Sequence, residues 1–264
     1  MNIKMIVTDL DGTFLREDKT VSDYTRAVFA RCREAGIKIA YATGRGGSAE
    51  RVAPPGLFDG KIIMNGAVAR IDDEIVYSRL IPHETARPFL MTCHERGINI
   101  TSEITGMHYS NFVVSDFWPE ITHFQIVDFA RHEIDAEKIY TLNPSPENKY
   151  IIEQSLPDGL HSVMSSDGLG DFLQIMHKDA SKSKAVMELA KIWGIDKSKV
   201  VAFGNDFNDV DMLAHAGIGV AVANAFDDVK SAANYICDTN DNDGVAKWID
   251  ENILGGFTKP CQST

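Results

Sequence analysis

Short apolar runs rich in β-branched residues alternate with amphipathic segments at the start of this sequence. Residues 3–10 form such a run and lead into acidic residues and Gly12, which is typical of a fully buried parallel strand. Apolar positions in residues 22–35 fall on one helical face, with Ser22 placed to cap the helix and Gly36 to end it. A second strand over residues 37–42 completes a βαβ unit, which favours an α/β fold.

The C-terminal third repeats this alternation. An apolar stripe from Ala185 to Trp193 predicts a helix that Gly194 ends, and residues 200–203 and 218–222 predict two further strands. Three more helices are predicted near residues 210–214, 229–233 and 245–253. Strands that alternate with helices in this way predict a doubly wound parallel sheet.

The middle of the chain has a different sequence pattern, which predicts closely spaced strands. The predicted strands are residues 98–101, 109–114, 138–142, 161–165 and 172–176. Because both flanks belong to one sheet pattern, we expect this stretch to be an insertion. The predicted domains are therefore a core of residues 1–82 and 179–264 and an inserted α+β domain of residues 83–178.

The chain is acidic, with 38 Asp and Glu residues against 26 Lys and Arg and a formal net charge of −12. Nucleic acids and anionic membranes are bound through basic patches, so we expect neither as a partner. An anionic ligand such as phosphate then needs local positive charge, from a metal ion, a lysine or helix N-termini.

The cysteines are scattered and form no CxxC pair, which argues against a zinc site or a disulfide framework. They are Cys32, Cys93, Cys237 and Cys261. No stretch is long and apolar enough to predict a signal peptide or a membrane span. We therefore expect reduced thiols and a cytoplasmic protein, either a monomer or a homodimer.

Two carboxylates follow the first predicted strand. Asp9 and Asp11 are two residues apart, so an extended backbone would point both side chains the same way. Close carboxylates repel each other unless a cation or a shared proton lies between them. Mg²⁺ suits this position, because it prefers oxygen ligands and leaves coordination sites open to phosphate oxygens.

Other segments carry residues suited to the same chemistry. Ligands of open α/β sheets bind at the carboxyl ends of the strands, where Thr43 and the following backbone amides could hold a phosphoryl oxygen. Lys182, near the start of a predicted helix, could neutralise charge between the carboxylates and a phosphate. Residues 204–209 (GNDFND) supply a dense set of oxygens for a metal. Taken singly, each pattern is also typical of a helix cap, a turn or a surface residue.

In combination and in this order, the segments DLDGT, ATGR, SK and GNDFND resemble the four motifs of the haloacid dehalogenase (HAD) superfamily. Asn65-Gly66-Ala67, VANAFDDVKSAANYI and DGVAKWI look like its Cof-like branch, subfamily IIB with a C2-type cap. The resemblance implies an HAD-like Rossmannoid core and an inserted cap domain that sets specificity. It also implies Mg²⁺-dependent hydrolysis of small phosphorylated metabolites, such as sugar phosphates.

The resemblance further implies roles for individual residues. Asp9 would be the nucleophile that forms an aspartyl-phosphate, and Asp11 the general acid and base. Thr43 would bind a phosphoryl oxygen, and Lys182 would hold Asp9 and the phosphate together. The expected metal-site residues are Asp9, Asp11, Asn205, Asp206 and Asp209. The expected substrate-binding residues are Gly12, Gly44, Arg45, Asn65 and Asn208.

The fourth motif departs from the pattern of many family members, which have Asp directly after its glycine. This chain has Asn205 there, followed by Asp206. Either side chain could bind the metal, and Asn208 and Asp209 could take direct or outer roles. We favour Asp206, because a negative charge strengthens a magnesium ligand.

Other functions remain open at this point. A phosphosugar mutase of the same superfamily would return the phosphoryl group to a sugar instead of to water. A dehalogenase is disfavoured, because the acid at Asp11 serves phosphate chemistry and not halide displacement. A non-catalytic phosphate-responsive regulator, similar to a receiver domain, is disfavoured by the length of 264 residues and by the complete motif set.

Overall fold

All four residues of the first strand, β1 (Met5–Thr8), are buried, as a parallel strand covered on both faces requires. The computed structural model that contains it describes residues 2–167 and 170–255, so Cys261 lies outside the described residues. The described residues form two units. The core unit runs to Tyr77 and resumes at Ser181, and the inserted unit is Ser78–Ala180.

The core unit begins with alternating strands and helices. After β1 come α1 (Asp23–Glu34), β2 (Lys38–Ala42), α2 (Ala49–Val52), β3 (Gly60–Ile63), β4 (Val68–Ile71) and β5 (Glu74–Ser78). Ser22 caps α1 as expected, because its hydroxyl accepts a hydrogen bond from the amide of Thr25 at 3.0 Å. Val28, Phe29 and Cys32 on one side of α1 are fully buried, which accounts for the apolar spacing in the sequence.

The inserted unit is an α+β domain. Its elements are α3 (His83–Glu95), β6 (Thr101–Ile104), β7 (Met107–Ser110), β8 (Phe124–Ile126), β9 (Lys138–Leu142), α4 (Pro146–Gln154), β10 (Leu160–Asp167) and β11 (Gly170–His177). Its described strands pair in the order β10-β11-β9-β6-β7-β8, antiparallel except for β7 with β8. Ile139, Leu173 and Ile175 on one face of this sheet pack with Phe89 of α3 and Ile152 of α4.

Two strand predictions in the inserted unit are wrong in extent. The sequence pattern predicted strands at 98–101 and 109–114, whereas the structure has β6 and β7 with a turn after Ser110. The side chain of Asn111 explains the difference. It accepts from the amide of Ile100 and donates to the carbonyl of Ile98, both at 2.9 Å, which occupies backbone groups that a strand would use in its ladder.

The chain returns to the core unit with α5 (Lys182–Ile192), β12 (Val200–Gly204), α6 (Val210–His215), β13 (Ile218–Val222), α7 (Asp227–Ala232), β14 (Tyr235–Cys237) and α8 (Gly244–Asn252). The described core sheet has the order β14-β13-β12-β1-β2-β3-β4-β5. Strands β14 to β3 pair in parallel, which confirms the predicted α/β class, while β4 runs antiparallel to β3. None of the described helices has both the length and the apolar character needed to cross a bilayer.

The position of β1 in this order brings the predicted motifs to one edge of the sheet. Met5–Thr8 pairs with Val200–Phe203 on one side and with Lys38–Tyr41 on the other, in the same direction. The segments that follow these three strands therefore leave the sheet side by side, at its carboxyl edge.

Candidate active site

Lys182 lies between two carboxylates at the carboxyl edge of the core sheet. Ser181 caps α5 by accepting from the amide of Lys184 at 3.1 Å, so Lys182 is the first residue of that helix. The Lys182 Nζ lies 2.7 Å from Oδ1 of Asp9 and 2.6 Å from Oδ1 of Asp209. Burial acts to lower the pKa of Lys182, but Asp209 and Asp9 together raise it above its usual value, so the side chain stays cationic.

Asp9 directly follows β1 and is 6% exposed. Its amide donates to the carbonyl of Phe203 at 2.9 Å, which continues the ladder with β12 and fixes the backbone. Burial raises the pKa of Asp9 to about 7; Lys182 opposes that rise, and Asp209 and Asp11 add to it. Oδ1 is bound to Lys182, and Oδ2 accepts no hydrogen bond from the described residues. One carboxylate oxygen is thus available for chemistry.

Asp209 is completely buried, and both of its oxygens are bonded within the protein. Oδ1 contacts Lys182, and Oδ2 accepts from the amides of Asn205 at 2.9 Å and Asp206 at 3.1 Å. These bonds form a capping box at the short turn Phe207–Asp209. Asp209 therefore fixes the position of Lys182 and the conformation of the loop after β12.

Asn205 and Asp206 differ in whether a side-chain oxygen is left without a hydrogen bond. Oδ1 of Asn205 accepts from the hydroxyl of Thr13 at 2.7 Å. Oδ1 of Asp206 accepts from the amide of Phe207 at 2.7 Å, and its Oδ2 receives no hydrogen bond from residues 2–167 or 170–255. Burial raises the pKa of Asp206, the amide of Phe207 opposes this, and Asp209 adds to the rise.

Asp11 is held by two cations. Nη2 of Arg45 lies 2.7 Å from its Oδ1, Nε of Arg45 contacts Oδ2, and Nζ of Lys19 lies 3.0 Å from Oδ1. Burial acts to raise the pKa of Asp11, but Arg45 and Lys19 together lower it, so the group is ionised. Sequence reasoning missed Lys19, because the loop that carries it has no local pattern to mark a contact with Asp11.

Thr43, Asn65 and Asn208 form a second polar group beside the first. Thr43 is 2% exposed; its hydroxyl accepts from the amide of Arg45 at 3.2 Å, and its carbonyl accepts from the amide of Asn65 at 3.0 Å. The amide nitrogen of Asn208 donates to Oδ1 of Asn65 at 2.9 Å. Oδ1 of Asn208 is buried and has no partner in the described part of the chain, which suits a cation, or a water bound to one.

Three glycines permit close approach around these side chains. Gly66 has φ +93°, and a Cβ there would lie 2.1 Å from the carbonyl oxygen of Ser181. Gly12 has φ +71°, and a Cβ there would lie 2.8 Å from Nδ2 of Asn205. A Cβ at Gly44 would lie 3.1 Å from Oδ1 of Asn65. Glycine is needed at these positions because a side chain would displace neighbouring site residues.

Asn224 is a further residue that sequence reasoning missed. Its Nδ2 donates to the carbonyl of Gly12 at 2.8 Å, and its Oδ1 accepts from the amide of Asn240 at 3.1 Å. The buried Nδ2 of Asn240 in turn donates to the carbonyl of Leu15 at 2.9 Å. These bonds hold the loop after β1 in place. Asn224 belongs to the VANAFDD stretch, which carried a family resemblance but no assigned role.

The oxygen atoms of these side chains are suited to bind a divalent cation. The described residues contain no cluster of three or more His, Cys, Asp or Glu side chains that could hold a metal ion by themselves. They do offer the carboxylate of Asp9 and Oδ2 of Asp206, and burial raises the pKa of each carboxyl, an effect that a bound cation would oppose. Backbone carbonyls and water can complete the six oxygen ligands that Mg²⁺ prefers.

Comparison with known proteins gives a consistent result. The family model for haloacid dehalogenase-like hydrolases matches residues 6–249. The chain is 29% identical over 263 residues to the 5-amino-6-(5-phospho-D-ribitylamino)uracil phosphatase YcsE of Bacillus subtilis, covering 96% of this chain and 97% of that protein.

Solved structures of similar proteins span both units. BT1666 from Bacteroides thetaiotaomicron, a phosphatase of the HAD superfamily, is 27% identical with a TM-score of 0.82, and the match covers 94% of each chain. The sugar phosphatase BT4131, of HAD subclass IIB, is 25% identical with a TM-score of 0.78, over 94% of this chain and 98% of that chain.

Proposed function

The chain belongs to the family of haloacid dehalogenase-like hydrolases, and we propose that it hydrolyses small phosphorylated metabolites, sugar phosphates among them, through an aspartyl-phosphate on Asp9 with Mg²⁺ as cofactor. Its phosphatase relatives indicate a phosphoric monoester hydrolase. The observation that carries the proposal is the buried contact of Lys182 with Oδ1 of Asp9, which leaves Oδ2 unbonded at the carboxyl end of β1.

In the first step, Oδ2 of Asp9 attacks the phosphorus in line with the ester bond. The bond from phosphorus to the ester oxygen breaks, and Asp11 as a carboxylic acid gives its proton to that oxygen. Lys182 favours the ionised form of Asp9 and offsets the repulsion between its carboxylate and the phosphate. Thr43 and the amides that follow it bind a phosphoryl oxygen.

In the second step, a water attacks the phosphorus of the aspartyl-phosphate and releases Asp9 and inorganic phosphate. Asp11 now takes the proton of that water, so one residue serves both steps. The contacts with Arg45 and Lys19 favour the carboxylate form that this second step needs. We propose that a bound phosphate draws Arg45 away from Asp11 before the first step, which frees Asp11 to carry a proton.

Mg²⁺ would be held by the carboxylate of Asp9, the backbone carbonyl of Asp11 and Oδ2 of Asp206. It would supply positive charge that offsets the negative charge of the phosphate. Asp206 is favoured over Asn205 because the Asn205 oxygen is already bonded to Thr13. Asp209 would act indirectly, because both of its oxygens already accept hydrogen bonds. It would hold Lys182 and the loop after β12 in position.

The choice of substrate is proposed to depend on the inserted unit, which would serve as the cap domain. A cytoplasmic location and a monomeric or homodimeric state remain part of the proposal. Cys32, Cys93 and Cys237 are free and buried, and burial raises the pKa of each thiol to about 12. Such thiols are unreactive, which is consistent with a protein that does not use disulfides.

The test is phosphate release from p-nitrophenyl phosphate and a panel of sugar phosphates with Mg²⁺, comparing wild type with Asp9→Asn. We expect Asp9→Asn to lose turnover and wild type to gain a phosphoryl group, seen by intact mass after acid quench. Asp18→Asn is the control, because Asp18 is an exposed acid of the same loop. Equal turnover by wild type and Asp9→Asn would refute the nucleophile. Sugar phosphate isomerisation without phosphate release would favour a mutase.

A further inference from the structure

Lys19 lies in a tight turn and has an unfavourable backbone conformation. The amide of Arg16 donates to the carbonyl of Thr20 at 3.1 Å, and the amide of Lys19 donates to the carbonyl of Arg16 at 2.9 Å. These bonds enclose residues 17–19, and the last position of such a three-residue loop is left-handed and favours glycine. Lys19 occupies that position with φ +63°. A side chain is disfavoured there, because its Cβ lies too close to the following carbonyl oxygen.

Stability does not explain the choice of lysine at this position. The side chain of Lys19 contacts that of Asp11, and the two side chains are 44% and 34% exposed. Ion pairs with this much exposure contribute little to the free energy of unfolding. Glycine at this position would therefore be no less stable. A lysine that is held in left-handed backbone beside reactive groups points instead to a role in function.

Two acids that precede α8 hold the turn in place. Oδ2 of Asp243 lies 2.8 Å from Nη2 of Arg16, and Oδ1 of Asp241 accepts from the amide of Glu17 at 2.9 Å. These bonds tie the turn to a distant segment of the core unit. Because the backbone of the turn is held in this way, the side chain of Lys19 extends from a fixed base.

The two cations that hold Asp11 differ in what else they can bind. Nζ of Lys19 lies 3.0 Å and Nη2 of Arg45 lies 2.7 Å from Oδ1 of Asp11, and Nε of Arg45 contacts Oδ2. Arg45 belongs to the loop after β2, where its amide donates to the hydroxyl of Thr43 at 3.2 Å. Thr43 is a proposed ligand of the phosphoryl group. The proposed move of Arg45 to a bound phosphate would free Oδ2 and leave the Lys19 contact in place.

The contact with Lys19 distinguishes the two oxygens of Asp11. An ammonium group donates hydrogen bonds and cannot accept one, so Oδ1 is the oxygen left without a proton and Oδ2 is the one that carries it. In the first step, Oδ2 gives its proton to the ester oxygen as the bond from phosphorus to that oxygen breaks. In the second step, Oδ2 takes a proton from water as the water oxygen bonds to phosphorus and the bond from phosphorus to Asp9 breaks.

We infer that Lys19 is a positioning residue of this reaction, which holds Oδ1 of Asp11 so that Oδ2 faces the transferred proton. This role rests on the proposed function, because it requires Asp11 to be the general acid and base. Lys19 makes no bond to the substrate in this role. Loss of its charge should therefore slow proton transfer without weakening the binding of the substrate.

The first measurement compares kcat/KM of wild type and Lys19→Met on two kinds of substrate. An alkyl phosphate, the best of glucose 6-phosphate, ribose 5-phosphate and glycerol 3-phosphate, needs a proton on its leaving oxygen. Its kcat/KM should fall about tenfold, a fraction of what a general acid supplies. p-Nitrophenyl phosphate releases a stable phenolate that needs no proton, so its kcat/KM should stay near wild type. A lysine that bound the phosphate itself would lower kcat/KM equally for both substrates.

The second measurement follows the decay of the phospho-enzyme formed from p-nitrophenyl phosphate. After rapid dilution of the substrate, samples are quenched in acid and the intact protein is analysed by mass spectrometry. Decay needs Asp11 as the base, whichever alcohol has left, so Lys19→Met should slow it about tenfold. Lys19→Arg keeps the positive charge and should recover most of the wild-type rate.

Two further variants separate positioning from folding. Lys19→Gly relieves the left-handed strain, so it should melt no lower than wild type and still show both kinetic losses. Lys149→Met is the matched control, because Lys149 pairs with Glu153 and the two side chains are 42% and 41% exposed, much like those of Lys19 and Asp11. This control should keep wild-type kinetics.

Equal losses of kcat/KM on both substrates, or an unchanged decay rate in Lys19→Met, would overturn the positioning role. So would a Lys19→Arg variant as slow as Lys19→Met, or kinetic losses that occur only in variants that melt below wild type. These results leave the proposed function intact as long as wild type forms a phospho-enzyme and Asp9→Asn does not. Equal turnover by wild type and Asp9→Asn would overturn the proposed function, and the role of Lys19 with it.

Discussion

Lys182 and Asp209 are in direct contact inside the core unit, with 2.6 Å between Nζ and Oδ1 and side chains that are 1% and 0% exposed. Asp209 also accepts hydrogen bonds from two loop amides, so it anchors the lysine to the loop after β12. A movement of Asp9 would therefore not carry Lys182 with it. The loop after β12 sets its position, and this makes Lys182 a fixed positive charge beside Asp9, the proposed nucleophile.

Replacing Lys182 with Met should strongly destabilise the protein and abolish turnover. The variant leaves Asp9 and Asp209 buried without their cation, and breaking a buried pair in this way costs about 3–5 kcal/mol. Urea denaturation gives the free energy of unfolding, and phosphate release gives the turnover.

The matched control for that variant is Lys61→Met. Lys61 also contacts two carboxylates, those of Glu50 at 2.9 Å and Asp73 at 2.7 Å, but both partners are largely exposed. Exposed pairs contribute about 0–1 kcal/mol, so the control should remain near wild type. A Lys182→Met protein as stable as Lys61→Met would contradict the assigned burial of the ion pair.

Gly66→Ala should disturb the start of α5. A Cβ at this position would meet the backbone of Ser181, which cannot move without moving Lys182. Gly36→Ala is the control, since Gly36 has φ +73° with nothing within 4 Å of an added Cβ. The control should cost about 1–2 kcal/mol from its left-handed conformation alone. Gly66→Ala should cost clearly more and reduce turnover; equal losses of stability would show that the close approach is unimportant.

Mg²⁺ should raise the melting temperature of wild type, because a ligand that binds only the folded state stabilises it. At about 100 times its Kd the gain is about 3 kcal/mol. We expect Asp206→Ala to lose this shift and Asn205→Ala to keep most of it, as followed by thermal denaturation with and without the metal. Unchanged metal affinity in Asp206→Ala would refute Asp206 as a ligand.

The pKa of Asp9 predicts how stability depends on pH without metal. The folded pKa of about 7 lies above the unfolded value of 3.8, so the folded state binds more protons between these limits. The contribution of Asp9 to stability is fully present below pH 4 and is lost as pH rises to about 7. In EDTA, the unfolding free energy of wild type should therefore fall relative to Asp9→Asn across this window. Parallel pH profiles for the two proteins would disprove the shift.

Much of the fold follows from local sequence pattern. The predicted strands at 138–142 and 218–222 match β9 and β13, because a short apolar run between polar turns leaves little choice of strand bounds. The cap at Ser22 was equally predictable, since it depends on the next three residues only. The motif segments meet at one sheet edge because β2, β1 and β12 are parallel neighbours.

What the sequence could not show depends on contacts between distant segments. Lys19 reaches Asp11 and Asn224 reaches the carbonyl of Gly12, and neither contact follows from local periodicity. The antiparallel edge formed by β4 was missed too, because a short strand on a parallel sheet has no distinctive spacing. The engagement of both Asp209 oxygens was also unforeseen, since an acid in a metal-like motif and an acid in a capping box have the same sequence pattern.

The chain re-enters the core unit at Ser181, directly before Lys182. Because Gly66 has no side chain, its backbone can lie directly against that of Ser181. The reactive groups are thus assembled from segments whose anchoring does not depend on the length or composition of residues 78–180. Evolution can lengthen, shorten or exchange this intervening module and retain the same chemistry, which explains how one hydrolytic scaffold can supply enzymes for many different metabolites.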